Sequence, residues 1–128
     1  MTISEVAKKL GFSTYTLRYY EKIGLIRGVR RSGGIRRYGE SDIKWLEFIG
    51  RLKSTGMPLA EIAQYAKLRY EGDDTISRRK DMLLSHRARL RREIENLQNH
   101  YEALEKKIQT YEHMEREYES IRKGLEKS

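Results

Sequence analysis

The sequence predicts a mainly α-helical protein in two parts: a compact head that carries one β-hairpin, and a single long C-terminal helix. Three observations lead there. Short helical apolar periodicities are cut off at Gly11, Gly24, Gly56 and Gly72, the glycines that end helices. Ser32-Gly33-Gly34 lies between two short arginine-rich arms, as at a hairpin tip. From Thr75 onward no Gly or Pro occurs before Gly124, and apolar residues recur there in heptads.

Each element has its own signal. Thr2 and Glu5 have capping-box spacing, and Ile3, Val6, Ala7 and Leu10 share one helical face before Gly11 stops the first helix. Ser13 caps a second helix over residues 14–22, so two short helices are joined by a tight turn, the helix-turn-helix arrangement. Residues 25–38 read as a β-hairpin with Val29 and Ile35 on its arms, a basic wing carrying Arg27, Arg30, Arg31, Arg36 and Arg37. Glu40 or Ser41 begins a third helix with Ile43, Leu46, Ile49 and Leu52 buried, and Trp45 and Phe48 widening that stripe until Gly56. Pro58 suits the first turn of a fourth helix, in which Leu59, Ile62, Ala63 and Ala66 face inward until Gly72.

The fifth helix shows a heptad row of Ile76, Leu83, Leu90, Leu97, Leu104, Tyr111, Tyr118 and Leu125. A second row interleaves through Ile94, Tyr101 and Ile108, giving a coiled-coil seam over Leu90–Tyr111. Such a helix is roughly 75 Å long at 1.5 Å per residue, too long to bury its seam on a small head, so a second copy of the chain is the natural partner. The expected dimerisation residues are Leu83, Leu90, Ile94 and Leu97, then Tyr101, Leu104, Ile108 and Tyr111. The second row fails at Lys80, Arg87, Glu115 and Arg122. The predicted organisation is a head over residues 1–70, a linker over 71–75 and a dimerisation helix over 76–128.

At 128 residues the chain holds one small core at most. Charged residues reach 36%, which fits long solvated helices. No apolar run approaches a membrane span and no signal peptide is apparent, so the expected location is the cytoplasm, with no membrane partner. Without a cysteine, disulfides, thiolate metal sites and thiol redox sensing are excluded. The net charge of +8 is unevenly placed: residues 1–70 hold 14 Lys and Arg against 6 Asp and Glu, whereas residues 71–128 hold 13 of each. A basic head on a neutral stalk points to a polyanion bound at one end.

DNA reading by a helix-turn-helix needs short polar and basic side chains on the second helix, with donors around it that grip phosphates. Ser13, Thr14, Tyr15, Thr16 and Arg18 occupy that helix and its cap, and Tyr19 and Tyr20 follow, of which at least one faces out. Arg18 can span the O6 and N7 acceptors of a guanine. Arg30, Arg31, Arg36 and Arg37 on the wing suit phosphate or minor-groove contact, because no carboxylate lies inside the hairpin. Trp45, Phe48, Tyr65 and Tyr70 either line an effector pocket between the third and fourth helices and the partner's stalk, or pack as an aromatic core, the commoner outcome. His86 and His100 flank the seam and His113 faces outward, too far apart to form a metal site; no cofactor is implied. Nor is there a nucleophile and base pair or a phosphate loop to suggest an enzyme.

The order Ile3-Ser4-Glu5-Val6-Ala7, LRYYEKIGLI from Leu17, GIRRYGESDI from Gly34 and LKSTGMPLAEI from Leu52 resembles the N-terminal domain of MerR-type transcription regulators. The resemblance covers residues 1 to about 70. It implies a winged helix-turn-helix head, an antiparallel coiled coil in a homodimer, and a pseudo-palindromic promoter site. Activators of this type bend and untwist a promoter whose two elements lie too far apart for RNA polymerase. By the same resemblance Arg18 and its neighbours read bases, Tyr20, Arg36, Arg37 and Tyr38 hold the backbone, and Lys53 contacts a phosphate. The chain departs from the family's metal sensors, which carry cysteines, and from its drug sensors, which carry a large further domain. DIKWLEFI from Asp42 resembles the small aldehyde- or thiol-responsive branch, whose sensing cysteine falls at or beside Arg51. The rival reading is a DNA-architectural or coiled-coil interaction protein with no regulatory output.

Overall fold

The structure, a computed structural model, describes residues 1–126. The element order is α1 (Ile3–Leu10), α2 (Thr14–Lys22), β1 (Arg30–Ser32), β2 (Ile35–Arg37), α3 (Glu40–Ser54), α4 (Leu59–Glu71), a 3₁₀ turn (Asp73–Thr75) and α5 (Ile76–Glu126). The chain is thus mainly helical with a small two-stranded wing and a long C-terminal helix. The last two residues of the expected final helix, 127–128, lie outside the described residues.

α1 begins with the capping box its sequence announces: the Thr2 hydroxyl accepts from Glu5 N at 3.3 Å, and Thr2 N donates to Glu5 Oε1 at 3.1 Å. The Thr2 amide and then its hydroxyl hold the Glu5 carboxyl below the usual carboxylate range. That cap contributes above the ordinary carboxylate pKa and fails as pH falls through the lowered value. Gly11, at φ 74°, closes the helix in the left-handed region. Ser13 then caps α2, accepting from Thr16 N at 3.0 Å.

The wing pairs Arg30 with Arg37, Arg31 with Arg36 and Ser32 with Ile35. Gly33 and Gly34 form its two-residue tip, both at positive φ, which suits a tight hairpin turn. Val29 precedes β1 instead of lying on it, and packs against the core. Beyond the wing, Tyr38 N donates to Met1 O at 2.7 Å, so the first residue is tied to the chain leaving the hairpin. α3 opens at Gly39, whose N–H donates to Asp42 Oδ2 at 2.8 Å. Pro58 is the N-cap of α4 instead of a residue in its first turn.

One core joins these pieces, made by Val6, Leu17, Tyr20, Leu25 and Ile26 with Leu46, Ile49, Leu52, Ile62 and Ala66. Trp45 is buried and donates from Nε1 to Leu25 O at 2.7 Å, satisfying the carbonyl of a loop that has no strand partner there. Gly50 lets the Phe12 ring approach α3: a Cβ there would stand 3.0 Å from Phe12 Cζ.

Residues 71–75, expected as a linker, are a packed corner. Thr75 is fully buried, and its hydroxyl lies 2.6 Å from Leu68 O and 2.7 Å from Gly72 O. The first turns of α5 continue the head: Met82 and Leu83 pack against the core, and His86 is buried with Nε2 2.8 Å from Thr55 Oγ1. Leu83 and His86 therefore face their own head, where the heptad reading had put them in or beside the seam. The first compact unit accordingly spans Met1–Arg87. In the second, from Ala88 on, Ile94, Leu97, Tyr101, Leu104, Ile108 and Tyr111 are all exposed. The exposed apolar series then continues through Met114, Tyr118, Ile121 and Leu125, shifted off the failed row at Glu115 and Arg122.

Replacing Thr75 by Val keeps the shape of the corner and removes a buried hydroxyl shared by two carbonyls. Urea unfolding of this variant is expected to show a loss of about 1–3 kcal/mol. An unchanged midpoint and slope would mean that the corner does not behave as part of the core.

Candidate nucleic-acid interface

α2 presents one polar face. Tyr15 is 75% exposed, Arg18 and Tyr19 are exposed, and Thr14 is half-buried beside them. Ser13 and Thr16 are occupied with each other: besides the backbone cap, their hydroxyls lie 2.8 Å apart. Of the two tyrosines, Tyr19 faces out and Tyr20 is buried. The periodicity decides it, because Tyr20 follows buried Leu17 by three residues on the core face. The Tyr20 ring meets Phe12 edge-on with centroids 5.7 Å apart. Its hydroxyl accepts from Lys53 Nζ at 3.3 Å, and the ammonium also sits over the ring at 5.8 Å. Lys53 is thereby held at the end of α3 beside α2, with its remaining protons available.

The wing arginines divide into two pairs by register. Arg31 and Arg36 reach back to one carboxylate, Glu21 on α2: Arg31 Nη2 lies 3.2 Å from Oε1 and Arg36 Nε 2.5 Å from Oε2. Arg30 and Arg37 are exposed, and Arg37 lies near enough to Glu5 to help lower its pKa. Arg27 is turned away from this face, donating from Nε to Gly24 O and lying over the Tyr70 ring at 4.9 Å. The hairpin itself holds no carboxylate, and the one that pairs with Arg31 and Arg36 comes from α2. Glu21 was missed, although it is the sole acidic residue between Glu5 and Glu40, a signal that a basic wing had one place to dock.

Tyr38 is buried, and its hydroxyl has no hydrogen-bond partner among the described residues. Burial, and next the nearby Glu21 charge, push its pKa up, so the group stays a protonated donor. The Tyr38 ring, expected on the DNA face, thus lies in the core between the wing and α3.

Three of the four aromatics of the candidate effector pocket pack together. Trp45 and Tyr65 stack with centroids 5.8 Å apart, and Phe48 lies 6.3 Å from Trp45 and 5.9 Å from Tyr65. The Arg69 guanidinium covers Trp45 at 4.1 Å and reaches Tyr70 at 5.2 Å. Tyr70 accepts from Arg27 N at 2.9 Å, tying α4 to the wing's approach. Trp45, Phe48 and Tyr65 thus pack on one another, while Tyr70 meets Arg27 and Arg69 instead.

The sequence profile of the MerR HTH family of regulatory proteins matches residues 1–68, and that of the MerR DNA-binding family matches residues 43–105. The chain belongs to the MerR family. Its MerR domain is similar to that of the HTH-type transcriptional regulator AdhR of Bacillus subtilis, at 46% identity over 70% of this chain. That alignment spans 65% of AdhR, a little under two thirds of its length. An uncharacterized HTH-type regulator of Haemophilus influenzae is 37% identical over 87% of this chain and 83% of its own. Among solved structures, a protein of Listeria monocytogenes described as a MerR family transcriptional regulator superposes with a TM-score of 0.92 at 31% identity, covering 100% of this chain and 99% of that one. HiNmlR, a MerR family regulator lacking the sensor domain and bound to promoter DNA, has a TM-score of 0.73 at 36% identity over 80% of this chain and 78% of its own. The chain is thus a transcriptional regulator with a DNA-binding domain and not an enzyme.

In this MerR domain, Glu21→Gln would release two wing arginines and loosen the wing. Thermal melts are expected to show a loss of about 1 kcal/mol, while the salt dependence of binding to random duplex steepens by up to about two phosphate contacts. A variant with unchanged melting and unchanged salt slope would show that Glu21 does not hold the wing.

Proposed function

We propose that this MerR protein binds a pseudo-palindromic promoter element as a homodimer in the cytoplasm, and distorts the DNA to control initiation by RNA polymerase. The observation that carries this reading is the fixed pairing of the exposed α2 face with the wing through Glu21. Arg18, Tyr15, Thr14 and Tyr19 read the major groove, where a bidentate arginine to guanine is the commonest specific contact. Arg30, Arg37 and Lys53 grip phosphates on either side. Two such heads gripping one duplex at both ends can offset a bending cost on the order of a few kcal/mol. The promoter-bound state of HiNmlR supports the DNA partner.

The dimer rests on the exposed series from Ile94 to Tyr111. At roughly 1.5–3 kcal/mol for each large apolar side chain fully buried, burial across two chains exceeds an association cost of about 4–15 kcal/mol. A signal that the dimer answers does not act on a thiol of these residues, since none is a cysteine.

On a mapped operator, Arg18→Ala is expected to lose about 1–3 kcal/mol of specific affinity and little on random DNA, whereas Arg37→Ala weakens both and lowers the salt slope by about one. Equal losses on both DNAs for Arg18→Ala would favour the architectural, sequence-indifferent reading. Leu97→Asp combined with Leu104→Asp should sediment as a monomer with a folded head and weak operator binding, because the half-sites no longer share one association step. A monomer with undiminished operator affinity would refute the dependence on dimerisation.

A further inference from the structure

The outward side of α2 is itself divided. At about 100° per residue, Thr14, Arg18 and Lys22 fall in one column and Tyr15, Tyr19 and Ile23 in the column beside it, while Leu17 and Tyr20 take the core side. The first column is polar and borders Glu21, the residue that joins α2 to the wing. The second is aromatic and aliphatic, and all three of its members are exposed: Tyr15 by 75%, Tyr19 by 39% and Ile23 by 37%. Among the described residues of the head, no large apolar side chain is more exposed than Tyr15. It is the second residue of α2, near the end that a recognition helix turns toward base edges. The hydroxyls of Ser13 and Thr16, which precede and follow it, are occupied with each other.

We infer that the Tyr15 ring reads the C5-methyl group of a thymine in the major groove, beside the base that Arg18 contacts. This rests on the reading of α2 as the base-reading helix and names what its apolar column recognises. The polar column answers to hydrogen-bonding groups, and the apolar column to a methyl group. One helix thus distinguishes bases by two kinds of chemistry.

Three arguments select a thymine methyl. In an unmodified duplex it is the one apolar group that a base pair presents in the major groove, where the other readable groups are donors and acceptors. The Tyr15 ring is wet in the free chain, so covering it with a methyl group takes apolar surface on both sides out of water. A hydroxyl contact to a phosphate would use the ring's edge and leave its faces wet. Charge then decides between DNA and a protein surface as the occupant. Arg18 and Lys22 stand in the adjoining column, and residues 1–70 hold 14 Lys and Arg against 6 Asp and Glu, so the surface around Tyr15 is drawn to a polyanion.

Replacing thymine by deoxyuridine removes the methyl group and keeps every hydrogen-bonding group of the base, so the contact can be tested atom by atom. An operator is first selected by the full chain from a pool of random duplexes, and each of its thymines is then replaced singly. For at least one thymine the parent chain is expected to bind the uracil duplex about fourfold more weakly, as the loss of one buried methyl-sized group gives. Tyr15→Phe should keep that ratio because it keeps the ring, whereas Tyr15→Ser should bind the two duplexes alike. Both variants should melt with the parent chain, since the side chain is exposed. A parent chain indifferent to uracil at every thymine, or a selected operator without thymine, would overturn the inference. So would Tyr15→Ser retaining the parent's ratio, which assigns the methyl group to another residue. Tyr15→Phe losing as much affinity as Tyr15→Ser on both duplexes would overturn it in favour of a hydroxyl contact. A selection that returns no common sequence would instead overturn the reading of α2 on which the inference rests.

Discussion

The candidate DNA face is assembled from a nine-residue helix and a hairpin of two three-residue strands, and the Glu21 carboxylate links the strands to the helix. Each of its oxygens takes one wing arginine. Short hairpins are marginal by themselves, and this one carries four arginines on its strands whose mutual repulsion opposes closure. A half-buried carboxylate between Arg31 and Arg36 reverses the sign of that interaction and leaves Arg30 and Arg37, on the other face of the ribbon, for an external anion. Alternation along a strand does the sorting: neighbouring residues point to opposite faces.

The same economy runs through the core. Tyr20 is a core residue by volume, yet its hydroxyl is where Lys53 is fixed. Trp45 packs with Phe48 and Tyr65 and also satisfies the Leu25 carbonyl. Tyr70 accepts from the backbone of Arg27 while its ring receives the Arg27 guanidinium. Beside the aliphatic core, these amphipathic aromatics fill interior space and position polar groups at its rim.

α5 belongs to two environments. Its first turns are held by Thr75, by Met82 and Leu83 against the core, and by the His86–Thr55 hydrogen bond. The remainder from Ala88 on shows a row of large apolar side chains that are about half or more exposed. Exposed apolar surface of this extent marks an interaction site.

Local pattern settled much of this protein. Capping residues placed the starts of α1 and α2, Gly33-Gly34 placed the hairpin tip, and heptads placed the unpartnered face of α5. These are readable because they depend on residues within a few positions of one another. The pairing of Arg31 and Arg36 with Glu21, the burial of Tyr20 and Tyr38, the closed packing of Trp45, Phe48 and Tyr65, and the inward turn of Leu83 and His86 were decided by the tertiary structure. Periodicity states which side of an element is apolar, but not what that side will meet. A carboxylate ten or fifteen residues from its arginines, or a histidine thirty-one residues from its threonine, acquires its partner only when the chain folds back and removes both from water.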